Sequence, residues 1–247
     1  MLVLGNLSVL DQQEGKYEEA LSHSNAARTL ADRLGDQTMV AASHTQAGNV
    51  FLDQGDLDAA EREHRASLAI HERLGDESGL ARVLTNLSLI ASERGDEPAA
   101  RIDLERGLEI RRRGKETSGI ALSLVNLAPT YTNLGLLAEA HAALVEVAKH
   151  LLALRTVRVS IYALEAAAHF AATVADWPHV VKFYATAERL RGDLHHAIRS
   201  PSAELREAEL ERAQTEVGAE FMALQNEGAA LSLEDALQAV TELPPVR

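Results

Sequence analysis

The sequence repeats itself every forty residues. Glycine stands at 15, 55, 95 and 135, and alanine at 20, 60, 100 and 140. The phrase "GDLDAAEREHRASLAIHERLGD" from Gly55 is matched by "GDEPAARIDLERGLEIRRRGKE" from Gly95 and by "GKYEEALSHSNAARTLADRLGD" from Gly15. Numbered in blocks of forty from residue 1, position 4 holds Leu4, His44, Leu84, Leu124 and Leu164, and position 7 holds Leu7, Ala47, Leu87, Leu127 and Ala167. Position 8 is always small: Ser8, Gly48, Ser88, Ala128 and Ala168. No insertion interrupts five blocks. A period of this length marks a supersecondary unit that cannot bury its apolar face alone and must stack on its neighbours.

Each block holds two helices. In "LARVLTNLSLIASERGD" the apolar residues Leu80, Val83, Leu84, Leu87 and Ile90 follow the three-and-four spacing of one helix face. Gly near position 15 accepts the left-handed backbone that ends a helix, and the Asp or Glu that follows suits the next N-terminus. Pro98 and Pro178 fall in first turns, where a missing N–H costs nothing. "RLGD" closes the second helix at Gly35 and Gly75. The small residues at positions 8 and 20 mark where the two helices cross. The composition agrees with helix: Ala, Leu, Glu and Arg dominate, and only 4% of residues are aromatic.

The formal charge of −13 argues against a duplex-binding or anionic-membrane surface, which would need a basic face. The absence of cysteine removes disulfides and thiolate chemistry and favours a cytoplasmic chain. The N-terminal "MLVLGNLSVLDQQEGKYEEA" has no basic segment before its apolar residues, so it is not expected to be a signal peptide, and no apolar run has the length of a membrane span.

Leu or a bulky residue at 4, Leu at 7, a small residue at 8, Gly near 15, Ala at 20 and a small residue at 27 together resemble the tetratricopeptide repeat, here stretched to forty residues as in the long-repeat branch of kinesin light chains and bacterial regulators. The resemblance covers residues 1 to about 192. It implies an all-α, right-handed superhelix of about five antiparallel helix pairs, with residues 193–247 forming a C-terminal helical cap. In the tail, "ATAERLR" at 185–191, "VGAEF" at 217–221 and "EGAALSLEDAL" at 227–237 are similar to the ends of large bacterial signalling ATPases of the LuxR-type and adenylate-cyclase-linked classes. That likeness implies the sensor array of such a regulator, without its nucleotide-binding part: the sequence holds no GxxxxGK(S/T) phosphate loop. From the residues themselves, Pro201 starts one tail helix and Gly218 ends it. Gly228 ends a second, and Ser232 with Asp235 caps a third that Pro244 and Pro245 stop.

No catalytic constellation is expected. There is no G-x-S-x-G, no cysteine nucleophile and no H-E-x-x-H. His64 and His71 lie on one helix, but His64 takes position 24, a packing position held elsewhere by Leu104, Leu144 and Tyr184, and the adjacent His195 and His196 point to different sides. No metal or cofactor is expected. The basic "EIRRRGKE" at 109–116 ends a second helix, where cations complement the dipole.

The remaining candidate is the first-helix face, which the resemblance makes the concave, ligand-binding surface, lined by positions 2, 5, 6, 9, 12 and 13. Position 6 is Asn6, Gln46, Asn86 and Asn126; Arg82, Asn49 and Asn133 share the face from positions 2, 9 and 13. Amides both donate and accept, which suits the backbone of an extended peptide, and equally suits a ladder between helices. Asn86 and Asn126 would grip successive stretches of such a ligand. Thr45, Thr85 and Val125 at position 5 do not supply the lysine of the family's carboxylate clamp. The expected partner is therefore a protein or peptide, with a homodimer through the same helical surfaces as the alternative. Pro129, at position 9 of a first helix, is expected to kink it.

Overall fold

The computed structural model describes residues 2–194 and 203–245, and among them the chain is all α-helical, with no strand. It divides into two compact units, Met1–Gly114 and Lys115–Arg247. The first holds three helix pairs: α1 (Leu2–Gln13) with α2 (Tyr17–Leu34), α3 (Gln37–Gln54) with α4 (Leu57–Leu74), and α5 (Glu77–Glu93) with α6 (Glu97–Arg113). The second holds α7 (Thr117–Asn133) with α8 (Leu137–Leu154), α9 (Val157–Thr173) with α10 (Trp177–Asp193), and three tail helices, α11 (Ala203–Val217), α12 (Phe221–Ala230) and α13 (Leu233–Thr241). Helix α7 continues through Pro129. The expected helix start at Pro201 and the His195–His196 pair lie outside the described residues.

Gly–Asp dipeptides make four of the five turns of the first unit, the exception being Gly15–Lys16 between α1 and α2. Gly35, Gly55 and Gly75 adopt φ of +71°, +78° and +64° and close the helix before them. The next residue opens the helix after them: Asp36, Asp56, Asp76 and Asp96 accept the backbone N–H of Met39, Ala59, Gly79 and Ala99 at 2.9–3.1 Å. Two residues thus satisfy orphan groups at both ends of a turn. The second unit departs from this rule. Arg155 and Ala175 take the left-handed conformation at φ +52° and +60° without being glycine, a strain of about 1–2 kcal/mol each.

Inside each pair the crossing is dry and close. Ala20, Ala60, Ala100 and Ala140 are fully buried, and the Ser8 hydroxyl donates to the carbonyl of Ala20 at 2.7 Å. His64 shows how specific this fit is. Its imidazole is fully buried against the backbone of Gly48, where an added Cβ would stand 2.7–2.9 Å from three ring atoms. Gly at position 8 of this block therefore seats the ring that replaces the usual aliphatic or small residue at position 24. Neither ring nitrogen has a hydrogen-bond partner, so burial pushes the imidazole down to about 4 and keeps it neutral. His71 is equally buried, and a Cβ on Gly79 would overlap its ring. Its Nδ1 lies 2.8 Å from Asp76 Oδ2.

The tail helices pack on α8, α9 and α10. Gly218, at φ +55°, ends α11 as expected, and Ser232 caps α13 by accepting the N–H of Asp235 at 3.0 Å. Gly228 corrects the sequence reading. It does not end α12, which runs on to Ala230. It lets α12 touch α10: a Cβ there would meet the Lys182 backbone at 2.5 Å, and the Thr186 hydroxyl donates to the Gly228 carbonyl at 2.8 Å. Arg212 also lies over the Trp177 ring, 4.8 Å from its centroid.

Two outcomes follow from this packing. Ala60→Leu or Ala100→Leu should overpack a crossing and destabilise the fold by roughly 1–3 kcal/mol, read as a lower denaturation midpoint; an unchanged midpoint for both contradicts the crossing register. His64 is neutral in the folded chain and takes a proton more readily once unfolded. Its contribution to stability is therefore lost as pH falls from the ordinary histidine value of 6.5 toward 4. Urea unfolding at pH 7 and pH 5 should show that His64→Leu removes about 2 kcal/mol of the wild-type loss between those values. Parallel losses in both proteins would mean that the ring is protonated in the fold.

Candidate functional site

The first helices of the first unit present amides to one another. Gln46 donates to the side-chain carbonyl of Gln12 at 2.7 Å, and Gln12 donates onward to Asp53 at 2.7 Å, which joins α1 to α3. Asn86 donates to the carbonyl of Asn49 at 3.0 Å, which joins α3 to α5. All five side chains are half-buried, while Asn6 and Arg82 are exposed. Sequence reasoning named Gln46, Asn49 and Asn86 but missed Gln12 and Asp53, although positions 12 and 13 belong to the same face. An amide has two N–H groups and two carbonyl lone pairs. One bond to a neighbouring helix therefore leaves hydrogen-bonding capacity for a ligand.

Nearby, Glu63 accepts from His44 at 2.7 Å and from Arg28 at 3.2 Å. Burial alone would raise this carboxyl; the bond to His44 and the charges of His44 and Arg28 outweigh it and leave it below its ordinary range. Glu63 is an anion held by two basic groups between α2, α3 and α4. On α6, Arg113 of the basic cluster pairs with Glu77 at 3.0 Å, and Arg111 is buried.

In the second unit the two candidate asparagines have different surroundings. Asn126 turns back on its own helix and donates to the Leu122 carbonyl at 2.8 Å. Asn133 meets His169 Nε2 at 2.9 Å. The other ring nitrogen of His169 bonds Glu209 at 2.6 Å, and Glu209 also accepts from the Tyr184 hydroxyl at 2.5 Å. Burial, and then the Glu209 charge, raise the Tyr184 phenol, so it stays a donor. This chain of contacts fastens α11 to α7, α9 and α10. Sequence reasoning missed it because Glu209 lies beyond the repeat and has no block position to align. Beside it, α10, α11 and α12 enclose an open cavity of about 460 Å³ with Tyr184, Leu210 and Phe221 among its apolar lining and Glu188, Glu207 and Glu211 among its charged lining.

Among the described residues no group of three or more His, Asp or Glu side chains is arranged to hold a metal ion, and no helix is long and apolar enough to cross a membrane.

Comparison with known proteins agrees with this architecture. Residues 1–73 and 38–113 match the family described as Tetratricopeptide repeat, whose repeats mediate protein–protein interaction. No match is found among curated proteins. Among solved structures the chain is similar to BtubC (BKLC) from P. vanneervenii, with 19% identity over 80% of this chain and 82% of that one, at a TM-score of 0.62. At that identity the likeness shows the fold. The family match ends at residue 113, next to the boundary between the two units at Gly114, so the tetratricopeptide pattern is carried in recognisable form by the first unit.

Proposed function

We propose that the chain is a scaffold that binds a protein or peptide along the amide-bearing first helices. We further propose that it serves as the cytoplasmic sensor or interaction part of a bacterial signalling or transcriptional regulator. The observation that carries the binding role is the series Gln12, Gln46, Asn49 and Asn86, with spare hydrogen-bonding capacity on half-buried amides of three successive first helices. Asn6 and Arg82 extend the same register in the first unit, and Asn126 and Asn133 occupy it in the second. The regulator role rests on the tail phrases "ATAERLR", "VGAEF" and "EGAALSLEDAL". A net charge of −13 favours a basic partner, captured faster at low salt.

The test captures the partner from the native cell on tagged chain, identifies it by mass spectrometry, and titrates it by calorimetry. Each lost uncharged amide contact should cost about 0.5–1.5 kcal/mol. Asn49→Ala with Asn86→Ala should then weaken binding roughly tenfold, while the fold loses only their mutual hydrogen bond. Equal affinities for wild type and the double variant would leave the amides as an interhelix ladder and move the binding surface elsewhere.

A further inference from the structure

Helices α11 and α12 each pack on α10 but touch one another only sparsely. The cavity of about 460 Å³ lies where they diverge, and its walls are fixed. On the α11 side the Tyr184 hydroxyl donates to Glu209 at 2.5 Å, and Arg206 pairs with Glu188 at 2.7 Å. On the α12 side the Thr186 hydroxyl donates to the Gly228 carbonyl at 2.8 Å, and Leu224 is buried. A ligand therefore meets a preformed cleft of the size that takes a small molecule. The lining divides by chemistry. Val181, Tyr184, Ala185, Leu210 and Phe221 form an apolar floor that includes two aromatic rings. The charged residues are Glu188, Glu207 and Glu211 against the cation Arg206. Glu188 is already paired, with Arg206 and with Arg191 at 2.9 Å. Glu207 and Glu211 stand one turn apart on α11, both exposed, and neither has an ion-pair partner among the described residues. The cleft thus holds two carboxylates in excess of its cations, and they are not part of any group arranged to hold a metal ion.

We propose that this cleft binds a small organic cation, a primary amine carried on an aromatic or branched aliphatic body. The body lies on the apolar floor, where the rings of Tyr184 and Phe221 gain from its burial. The ammonium stays at the mouth and donates to Glu207 and Glu211. A neutral ligand of the same shape forgoes both charge-assisted bonds, and an anion is repelled. The site stands apart from the amide face: its lining comes from α10, α11 and α12, and none of it lies on α1, α3, α5, α7 or α9.

The probe is phenethylamine, titrated into the full chain by calorimetry at low salt. The expected result is saturable binding with a Kd below about 1 mM. Phenethyl alcohol, which has the same body without the charge, should bind the wild-type chain at least about tenfold more weakly. Glu207→Gln with Glu211→Gln should weaken the amine by a similar factor and leave the alcohol unchanged. Both side chains are exposed, so this variant should keep its wild-type circular dichroism. Absence of saturation, equal affinities for the amine and the alcohol, or undiminished amine affinity in the Glu207–Glu211 variant would overturn the proposal.

Discussion

The distance between two helices is set by what stands at their crossing. Alanine at position 20 and a small residue at position 8 bring the backbones of each pair within reach of a side-chain-to-carbonyl bond, as Ser8 to Ala20 shows. Once that distance is fixed, the larger residues find their places. Leu84, Leu104, Leu144 and Leu164 fill the space on either side of the crossings and are essentially inaccessible to water. The period of forty follows, because two helices of about eighteen residues and two short turns bring the next crossing to the same geometry. His64 is the exception that shows the constraint. Its ring fits at position 24 because Gly48 yields the volume of a methyl group, and burial keeps the ring uncharged against the opposing charge of Glu63.

The two units solve the same turn differently. In the first, Gly and Asp divide the work: one takes the left-handed conformation and the other caps the next helix. In the second, Arg155 and Ala175 hold the strained conformation, and Leu136 provides no side-chain cap. The surrounding packing must over-determine those turns. The tail helices contribute to it: α13 packs on α8 and α9, α12 packs on α10, and His141 bonds the Leu243 carbonyl at 2.8 Å. A sequence pattern built on the economical turn is thus sharp up to residue 113 and blurred beyond it, although helix follows helix at the same interval.

This contrast also explains what could be read in advance. Crossing residues and Gly–Asp turns are local and recur, so the helix pairs of the first unit and the Ser232 cap follow from one sequence. The Gly48–His64 pair was legible in part, since both residues depart from their columns in the same block, but their contact needed the structure. The role of Gly228 was not legible. A glycine near a helix end signals a stop, and only the approach of Lys182 shows that it signals contact. Nor was the link from Asn133 through His169 and Glu209 to Tyr184, because α11 has no counterpart in the repeat. The division after Gly114 shows in the sequence only as the loss of the Gly–Asp turn, because the forty-residue period passes through it unbroken.

The half-buried amides of the first helices constrain a ligand more by geometry than by energy. An amide that already bonds a neighbouring helix gives a partner little net energy per contact, because each new hydrogen bond replaces one to water or to another side chain. Such a face discriminates by geometry, through donors and acceptors fixed on helices that cannot move apart without opening the alanine crossings. Donors and acceptors fixed in this way need no conformational change to be presented together. The spacing of the contacts is set by the repeat itself.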